Sequence, residues 1–203
     1  MRQLFLSLLM MLLPVAVAAQ DNVWEQQQAP VANGNPDAKY LAGAVPEVDG
    51  RVVFETVIQA PGKTKNQIYD LVYQEMKRML TEPGQLDQSR IVIEERDSGR
   101  VVGSYQEWLV FKNKPLYLDR TRLLYHLVAD CQDGQLKLQM MRIIYIYDEE
   151  RNLTTYKAEE WITDHWGLNR KQTKLARVSG KFRRKTIDRK DYLFHKFEQL
   201  LNN

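Results

Sequence analysis

The feature that most constrains the fold is Asp133-Gly134, which separates two long runs of alternating polar and apolar residues. An Asp-Gly pair between two such runs is the strongest short signal for a hairpin with a two-residue turn. Residues 121–131 and 136–147 are therefore predicted to form an antiparallel hairpin. Such a turn also fixes which residues face each other. The predicted facing pairs are Asp130 with Lys137, Leu127 with Met140, His126 with Met141, Tyr125 with Arg142 and Leu123 with Ile144.

Three further segments are predicted to be strands. Residues 52–58 are rich in β-branched and aromatic side chains, and Ala60-Pro61-Gly62 ends this run. Residues 91–96 and 101–111 have similar composition, and the tight-turn sequence Asp97-Ser98-Gly99-Arg100 joins them. Because strands joined by such short turns pair antiparallel, the chain is expected to build an antiparallel sheet.

A helix is predicted to begin after Thr64. Gln67 completes a capping box with Thr64, which satisfies backbone N–H groups that have no partner inside the helix. The helix is predicted to pack one apolar face on the sheet and to end at Pro83-Gly84. The residues of this apolar face are Ile68, Leu71, Val72, Met76, Met79 and Leu80.

A second helix is predicted at the end of the chain, with Asp188 as its N-cap. Its apolar stripe consists of Leu193, Phe194, Phe197, Leu200 and Leu201. Between residues 148 and 185 the pattern is less regular, and it predicts only a short helix around residues 158–163, followed by a basic stretch.

The predicted order of elements is strand, helix, four strands, helix. Consecutive antiparallel strands with separate helices are typical of the α+β class. We therefore predict one α+β domain over residues 46–203, with an antiparallel sheet of about five strands and two helices on one face.

A resemblance to a known family rests on the first strand and the sequence that follows it, Ala-Pro-Gly-Lys-Thr-Lys-Asn-Gln-Ile-Tyr at residues 60–69. The Asp97–Arg100 turn and the strand after it fit the same pattern. These segments resemble a bacterial family of exported domains of unknown function with a TBP-like fold. The resemblance implies the sheet-and-helix architecture of the TATA-binding protein. It implies no activity, cofactor or catalytic residue, and a shared fold does not imply DNA binding.

The N-terminus has the pattern of a cleavable secretory signal peptide over residues 1–19. Arg2 precedes an apolar run at residues 4–13, and small residues follow Pro14. The alternative is an uncleaved anchor, but the run is shorter than the ~20 residues that a spanning helix needs. No cysteine near the cleavage site provides for a lipid anchor. We expect an exported protein, periplasmic or released, with no transmembrane segment after cleavage.

Residues 20–45 are predicted to be a flexible leader. They contain three consecutive glutamines, Asn33-Gly34, Pro30 and Pro36, and they show little apolar periodicity. Such a segment buries too little apolar surface to offset the entropy lost on ordering.

Composition excludes several classes of protein. The formal net charge of +3 is close to balance, so we expect no nucleic-acid partner. Cys131, the single cysteine, cannot form a disulfide within the chain, and its strand-like surroundings favour a buried core residue over a reactive thiol. No motif for a cofactor is present in the sequence, so none is predicted.

Catalytic and metal sites have weak support in the sequence. His126, His165 and His195 do not stand at metal-ligand spacing, so no metal site is predicted. Glu159 and Glu160 lie beside Trp161, a combination seen in carbohydrate-active sites. Adjacent glutamates point in different directions, however, so an amphipathic segment anchored by Trp161 is the favoured interpretation, and no catalytic residue is predicted.

A candidate binding surface is the basic stretch at residues 170–190, where ten basic residues accompany one acid. It would bind an anionic envelope glycan, a lipid headgroup or an acidic protein. The alternative is a solvated segment that pairs with the acidic residues before it. The candidate residues are Arg177, Lys181, Arg183, Arg184 and Lys185.

Three functions are therefore open. The first is a non-catalytic binding or structural accessory of the cell envelope, acting through the exposed sheet face or the basic stretch. The second is an envelope-glycan enzyme that uses Glu159, Glu160 or His165. The third is a carrier of a small apolar ligand between sheet and helices, which a solid core would exclude. That core would contain Leu71, Met76, Leu123 and Phe197.

Overall fold

The computed structural model describes Asn22, Trp24, residues 35–147 and residues 152–202. The predicted signal peptide lies outside the described residues, as does half of the predicted leader. The described strands are β1 (Glu47–Val48), β2 (Arg51–Gln59), β3 (Arg90–Glu95), β4 (Arg100–Lys114), β5 (Tyr117–Gln132), β6 (Gln135–Tyr147) and β7 (Thr154–Lys157). The helices are α1 (Lys65–Met79), α2 (Asp164–Gly167) and α3 (Gly180–Asn202). Single 3-10 turns lie at Ala38–Tyr40 and Ala158–Glu160.

The strands form one antiparallel sheet in the order β1-β2-β6-β5-β4-β3, and β7 also pairs with β6. The predicted α+β class is confirmed. The sheet has seven strands among the described residues where about five were predicted, because β1 and β7 are only two and four residues long. Strands this short carry no clear alternation in the sequence.

The central hairpin has the predicted two-residue turn. Its register is confirmed from the turn as far as His126, which faces Met141. Beyond this point β6 contains a bulge at Arg142 and Ile143. Leu123 consequently faces Tyr145 rather than Ile144, so that predicted pair is wrong by one residue. The predicted pair of Tyr125 with Arg142 is also wrong, because Tyr125 lies opposite the bulge and is paired with no single residue of β6.

The bulge is explained by the core. Ile143 and Tyr145 are both buried, and the extra residue lets β6 point both side chains to the inner face of the sheet. A turn that fixes register at one end of a hairpin cannot reveal an extra residue seven positions away.

Helix α1 begins as predicted. The Thr64 hydroxyl accepts a hydrogen bond from the Gln67 backbone N–H (3.3 Å), and the Gln67 side-chain oxygen accepts one from the Thr64 N–H (2.8 Å). Most of the predicted apolar face is buried, but Leu71 lies at the edge of the contact and is 36% exposed. The buried members are Ile68, Val72, Met76 and Met79.

Helix α3 begins at Gly180, eight residues before the predicted N-cap. Asp188 is therefore inside the helix, where its carboxylate accepts from the Tyr40 hydroxyl (2.8 Å) and pairs with Lys39 (2.7 Å). The first turns bury Phe182 and Ile187, and the charged residues between them hid this apolar spacing.

The packed part of the chain begins before residue 46, the predicted start of the domain. Tyr40 and Val45 belong to the hydrophobic core, and Trp24 is buried beside Tyr192, with ring centroids 6.4 Å apart. Single large side chains and backbone contacts hold this segment, so it has no periodic pattern to detect.

Both long helices lie on one face of the sheet, as predicted. The Tyr105 hydroxyl of β4 donates to the Met76 carbonyl oxygen of α1 (2.8 Å). Two positions along β4, on the same face, Glu107 accepts from Arg189 of α3 (2.8 Å), and both side chains are buried.

Buried apolar side chains occupy the core between sheet and helices. Of the four core positions named for a carrier test, Met76, Leu123 and Phe197 are completely buried, and Leu71 lies at the surface. Across the described parts of the chain, no helix has both the length and the apolar character that crossing a membrane requires.

Candidate ligand-binding notch on the open sheet face

The second face of the sheet is covered by neither α1 nor α3. Side chains pointing to this face alternate with the core residues along β4, β5 and β6. Most are half-buried against one another, so they form a continuous surface rather than isolated exposed groups. Its central members are Ser104, Gln106, Trp108, Arg120, Arg122, Leu124, His126, Met141, Ile144 and Ile146.

The bulge in β6 opens a gap at one margin of this face. Strand β2 pairs with β6 as far as Met141, and β7 pairs with it from Ile144 onwards. Among the described strands, none therefore pairs with this edge of β6 at the bulge itself. Arg142 has a φ of 53°, in the left-handed region that an arginine rarely adopts.

A cavity of about 500 Å³ occupies this gap, and we call it the bulge notch. The start of β2, the bulge of β6 and the end of β7 with the turn after it supply its walls. Its lining residues are Gly50, Arg51, Val52, Val53, Met141, Arg142, Ile143, Ile144, Lys157, Glu159 and Glu160.

Three cations from three strands line the bulge notch. Arg51, Arg142 and Lys157 are all exposed. Among the described residues, none of these three side chains has a hydrogen bond or an ion pair to satisfy it. An arginine in a left-handed bulge is strained by about 1 kcal/mol, and bulges often serve to re-aim a side chain. The notch therefore holds positive charge that the fold does not use.

Two glutamates complete the lining. Glu159 accepts a hydrogen bond from the Val52 N–H (2.8 Å), which ties the 3-10 turn to the start of β2. Glu160 is exposed. His165, the third candidate acid–base residue, lies on α2 and is not part of the lining. Its ring is perpendicular to the Trp166 ring, and the two ring centroids are 4.7 Å apart. The structure thus brings two of the three candidates together and assigns a structural contact to one of them.

The open face near the notch is electropositive. Burial lowers the pKa of His126, and the positive charges of Arg142 and Arg90 lower it further. Arg120 lies over the Trp108 ring, 3.7 Å from its centroid. The acids of the face lie toward the hairpin turn, where cations already balance them. These pairs are Glu55 with Lys137 (3.0 Å) and Asp130 with Arg100 (2.8 Å).

The five candidate residues of the predicted basic stretch do not form a continuous surface. Arg183 is completely buried, and its guanidinium donates to the backbone oxygens of Tyr40 (2.6 Å), Ile162 (2.7 Å) and Leu41 (2.6 Å) and to Asp164 (2.7 Å). Its place in a surface patch is therefore a correction to the sequence prediction. An arginine within a run of charged residues is normally expected at the surface. Helix α3, however, directs the Arg183 side chain toward residues 35–45.

The other four residues of that patch differ in exposure. Lys181 donates to Asp119 (2.7 Å) and to the Tyr147 hydroxyl (3.0 Å), and Arg184 pairs with Asp37. Lys185 is half-buried and Arg177 is exposed, just before α3. Of the five candidate residues of the basic stretch, only Arg177 and Arg184 are exposed.

The three cations of the bulge notch were missed in the sequence, whereas Glu159 and Glu160 were already candidates. Arg51, Arg142 and Lys157 are far apart along the chain and lie in no motif. The only local signal would have been the bulge, and nothing in the sequence of β6 marks it. Within the described ranges, no group of three or more His, Cys, Asp and Glu side chains is placed to hold a metal ion.

The described residues form a seven-stranded antiparallel sheet with both long helices on one face and an open, cationic second face, which defines an α+β domain of TBP-like architecture. The chain belongs to the family known as DUF4468, a domain of unknown function with a TBP-like fold, whose family model matches residues 54–146. The resemblance drawn from the sequence is thereby confirmed.

Two solved structures are similar to this chain. A DUF4468 family protein from Bacteroides ovatus is 40% identical, with a TM-score of 0.77, and the match covers 84% of this chain and 97% of that one. A TBP-like protein from Parabacteroides distasonis shares the fold at 19% identity, with a TM-score of 0.62 and coverage of 78% and 97%. No curated protein matches the chain.

Proposed function

We propose that this protein is a non-catalytic binding accessory of the cell envelope, and that its bulge notch binds an acidic sugar unit of an envelope glycan. The observation that carries the proposal is a set of three cations, Arg51, Arg142 and Lys157, around one cavity of about 500 Å³, with no partner for any of them in the described part of the chain.

The size of the notch favours a small ligand over a flat protein surface. Pockets for small ligands typically measure about 300–1,000 Å³. Arginine donates two parallel hydrogen bonds to a carboxylate or phosphate, so Arg51 and Arg142 suit an anionic group. The exposed carboxylate of Glu160 is able to accept hydrogen bonds from sugar hydroxyls. Cations and a carboxylate in one cavity fit a ligand that carries both an acid and hydroxyl groups.

The N-terminal sequence supports a role in the envelope, because residues 1–19 have the pattern of a cleavable signal peptide. The contacts of the glutamates favour binding over hydrolysis. Glycosidases need two carboxyl groups that flank the bond, but Glu159 is held by the Val52 N–H, and His165 is outside the notch.

The test is calorimetric titration of the protein with the trisaccharide of galacturonate, and with the uncharged trisaccharide of galactose for comparison. We expect binding of the acidic sugar only. Arg142→Gly should weaken it by about tenfold or more, since a hydrogen bond between charged groups contributes about 1.5–3 kcal/mol. Glycine adopts the φ of this bulge without strain, so the fold should be kept. Arg51→Gln and Lys157→Gln should each weaken binding as well.

The matched control is Arg177→Gln, which removes an exposed cation of the predicted basic stretch and leaves the notch intact. Its binding should equal that of the unsubstituted protein. Loss of binding in Arg177→Gln with full binding in Arg142→Gly would refute the notch and favour the basic stretch. Equal affinity for both trisaccharides would refute recognition of the acid. Release of new reducing ends on incubation would refute a non-catalytic role.

A further inference from the structure

The hairpin of β4 and β5 extends beyond the rest of the sheet. Its neighbour β3 reaches only as far as Ser104 on β4, and β6 reaches only as far as Thr121 on β5. Past these points the two strands pair with each other, from Lys112 with Asp119 to Lys114 with Tyr117. We call residues 112–119 the arm.

The tip of the arm is apolar and exposed. Leu116 is fully exposed at 108%, and Tyr117 and Leu118 are each 51% exposed. Single exposed apolar side chains are ordinary at protein surfaces. Three in succession at the end of a projecting hairpin form a concentrated patch, which marks an interaction site or an aggregation hazard.

The backbone at the tip is strained. Pro115 and Leu116 form the turn, and Leu116 has a φ of 64°. A turn with proline first and a positive φ second normally carries glycine or asparagine there. Leucine costs about 1 kcal/mol more in that conformation. The position thus carries an apolar side chain at the cost of stability, which is characteristic of functional sites.

Cations surround this apolar tip. Lys112 and Lys114 are exposed on the arm, and Arg120 lies at its base. The Lys112 ammonium is 5.9 Å from the centroid of the Tyr117 ring. Asp119, the acid of the arm, is already bound by Lys181 (2.7 Å) and the Tyr147 hydroxyl (2.9 Å). The free charge at the tip is therefore positive.

We propose that the arm docks the domain on an anionic lipid bilayer, with Leu116 and Leu118 inserted among the acyl chains and Lys112 and Lys114 at the phosphates. Exposed apolar residues bind by burial in the bilayer boundary, and nearby lysines add attraction to anionic headgroups. Tyrosine favours the interface between the two regions. This inference is independent of the bulge notch, which lies on another part of the sheet.

The first test is co-sedimentation with phosphatidylcholine vesicles that contain about a third phosphatidylglycerol, compared with pure phosphatidylcholine vesicles. The protein should bind the anionic vesicles more strongly. Leu116→Gly combined with Leu118→Ser should reduce binding by about tenfold or more, from the lost apolar burial. Lys112→Gln with Lys114→Gln should reduce it by about tenfold and abolish the preference for anionic vesicles.

Matched controls come from exposed apolar residues elsewhere. Leu153 is 61% exposed and Val178 is 56% exposed, so Leu153→Ser with Val178→Ser removes similar surface away from the arm. This control should bind vesicles as the unsubstituted protein does. Leu116→Gly also relieves the strained φ, so a loss of binding cannot be attributed to unfolding.

A second measurement locates the insertion. Leu116→Cys, labelled with a polarity-sensitive thiol dye, should shift its emission to shorter wavelength when anionic vesicles are added. Cys131 is buried and should not take the label, and Val178→Cys should show no shift. Absence of vesicle binding, or binding unchanged in the arm variants, overturns the proposal. Arm-dependent capture of a protein by a chain that does not bind vesicles overturns it in favour of a protein groove.

Discussion

Arg183 offers the sharpest test of how this domain is held together. Its guanidinium is completely buried and donates to three backbone oxygens and one carboxylate. These acceptors lie in the segment before β1 and in the segment around α2, so one side chain joins both segments to α3. We predict that Arg183→Met destabilises the domain strongly, although the methionine would pack in the same space.

The magnitude follows from what the substitution leaves behind. Each buried acceptor that loses its donor costs about 1–3 kcal/mol, and breaking a buried ion pair by removing one partner costs about 3–5 kcal/mol in total. Some of these oxygens can form hydrogen bonds to water once residues 35–45 detach from α3. We therefore expect a loss of about 4 kcal/mol, which in a domain of this size lowers the Tm by about 12 °C.

The assay is unfolding in urea followed by circular dichroism, together with thermal unfolding. The matched control is Arg184→Met at the next position of α3, where the side chain is 44% exposed and pairs with Asp37. An exposed ion pair of this kind contributes about 1 kcal/mol or less. Arg183→Lys keeps the charge but lacks the planar fork, so it should be destabilised nearly as much as Arg183→Met.

The reasoning is refuted if Arg183→Met unfolds within about 1 kcal/mol of the control, since exposed arginines behave in that way. A variant too unstable to isolate would leave Arg183→Lys as the measured comparison. Limited proteolysis adds an independent readout, because cleavage near residues 35–45 should become faster in both Arg183 variants and not in Arg184→Met.

Three further predictions concern single side chains. Burial raises the pKa of the Cys131 thiol to about 12, so iodoacetamide at neutral pH should modify it only in urea. Because the folded-state pKa of His126 lies below its unfolded value of about 6.5, the protein should lose stability relative to His126→Gln as the pH falls below about 6.5. Proton NMR should show that Arg142→Gly raises this pKa, because it removes a nearby positive charge. A Cβ at Gly103 would overlap the Tyr105 ring, so Gly103→Ala should lower the urea midpoint by the equivalent of about 2 kcal/mol.

The parts of the fold that could be predicted depend on interactions within a few residues. The Thr64–Gln67 capping box and the Asp133-Gly134 turn each decide their own geometry, and both are present. Alternating side chains likewise decide which face of a strand is buried. Local preferences of this kind were sufficient to obtain the order of the main elements and the α+β class.

The parts that could not be predicted depend on distant contacts. The bulge at Arg142 exists because Ile143 and Tyr145 both have places in the core, which are formed by the helices and by β5. The first two turns of α3 are stabilised by residues 35–45, and those residues are stabilised by α3 in return. The start of α3 and residues 35–45 thus stabilise each other, and neither segment has a sequence pattern that reveals its structure by itself.

For the candidate sites too, local sequence and distant contacts gave different answers about which charges are free to bind a ligand. Density of lysine and arginine along the chain suggested the basic stretch, but helix α3 brings Lys181 to Asp119 and Arg183 to four oxygen atoms. Charges close in sequence often serve the fold, because a helix presents them to several neighbouring segments. The cations that find no partner within the described ranges are Arg51, Arg142 and Lys157. They come from three strands, and only the register of the sheet places them around one cavity. A binding site in this fold therefore follows from which charges remain unsatisfied after folding, not from where charges are most frequent in the sequence.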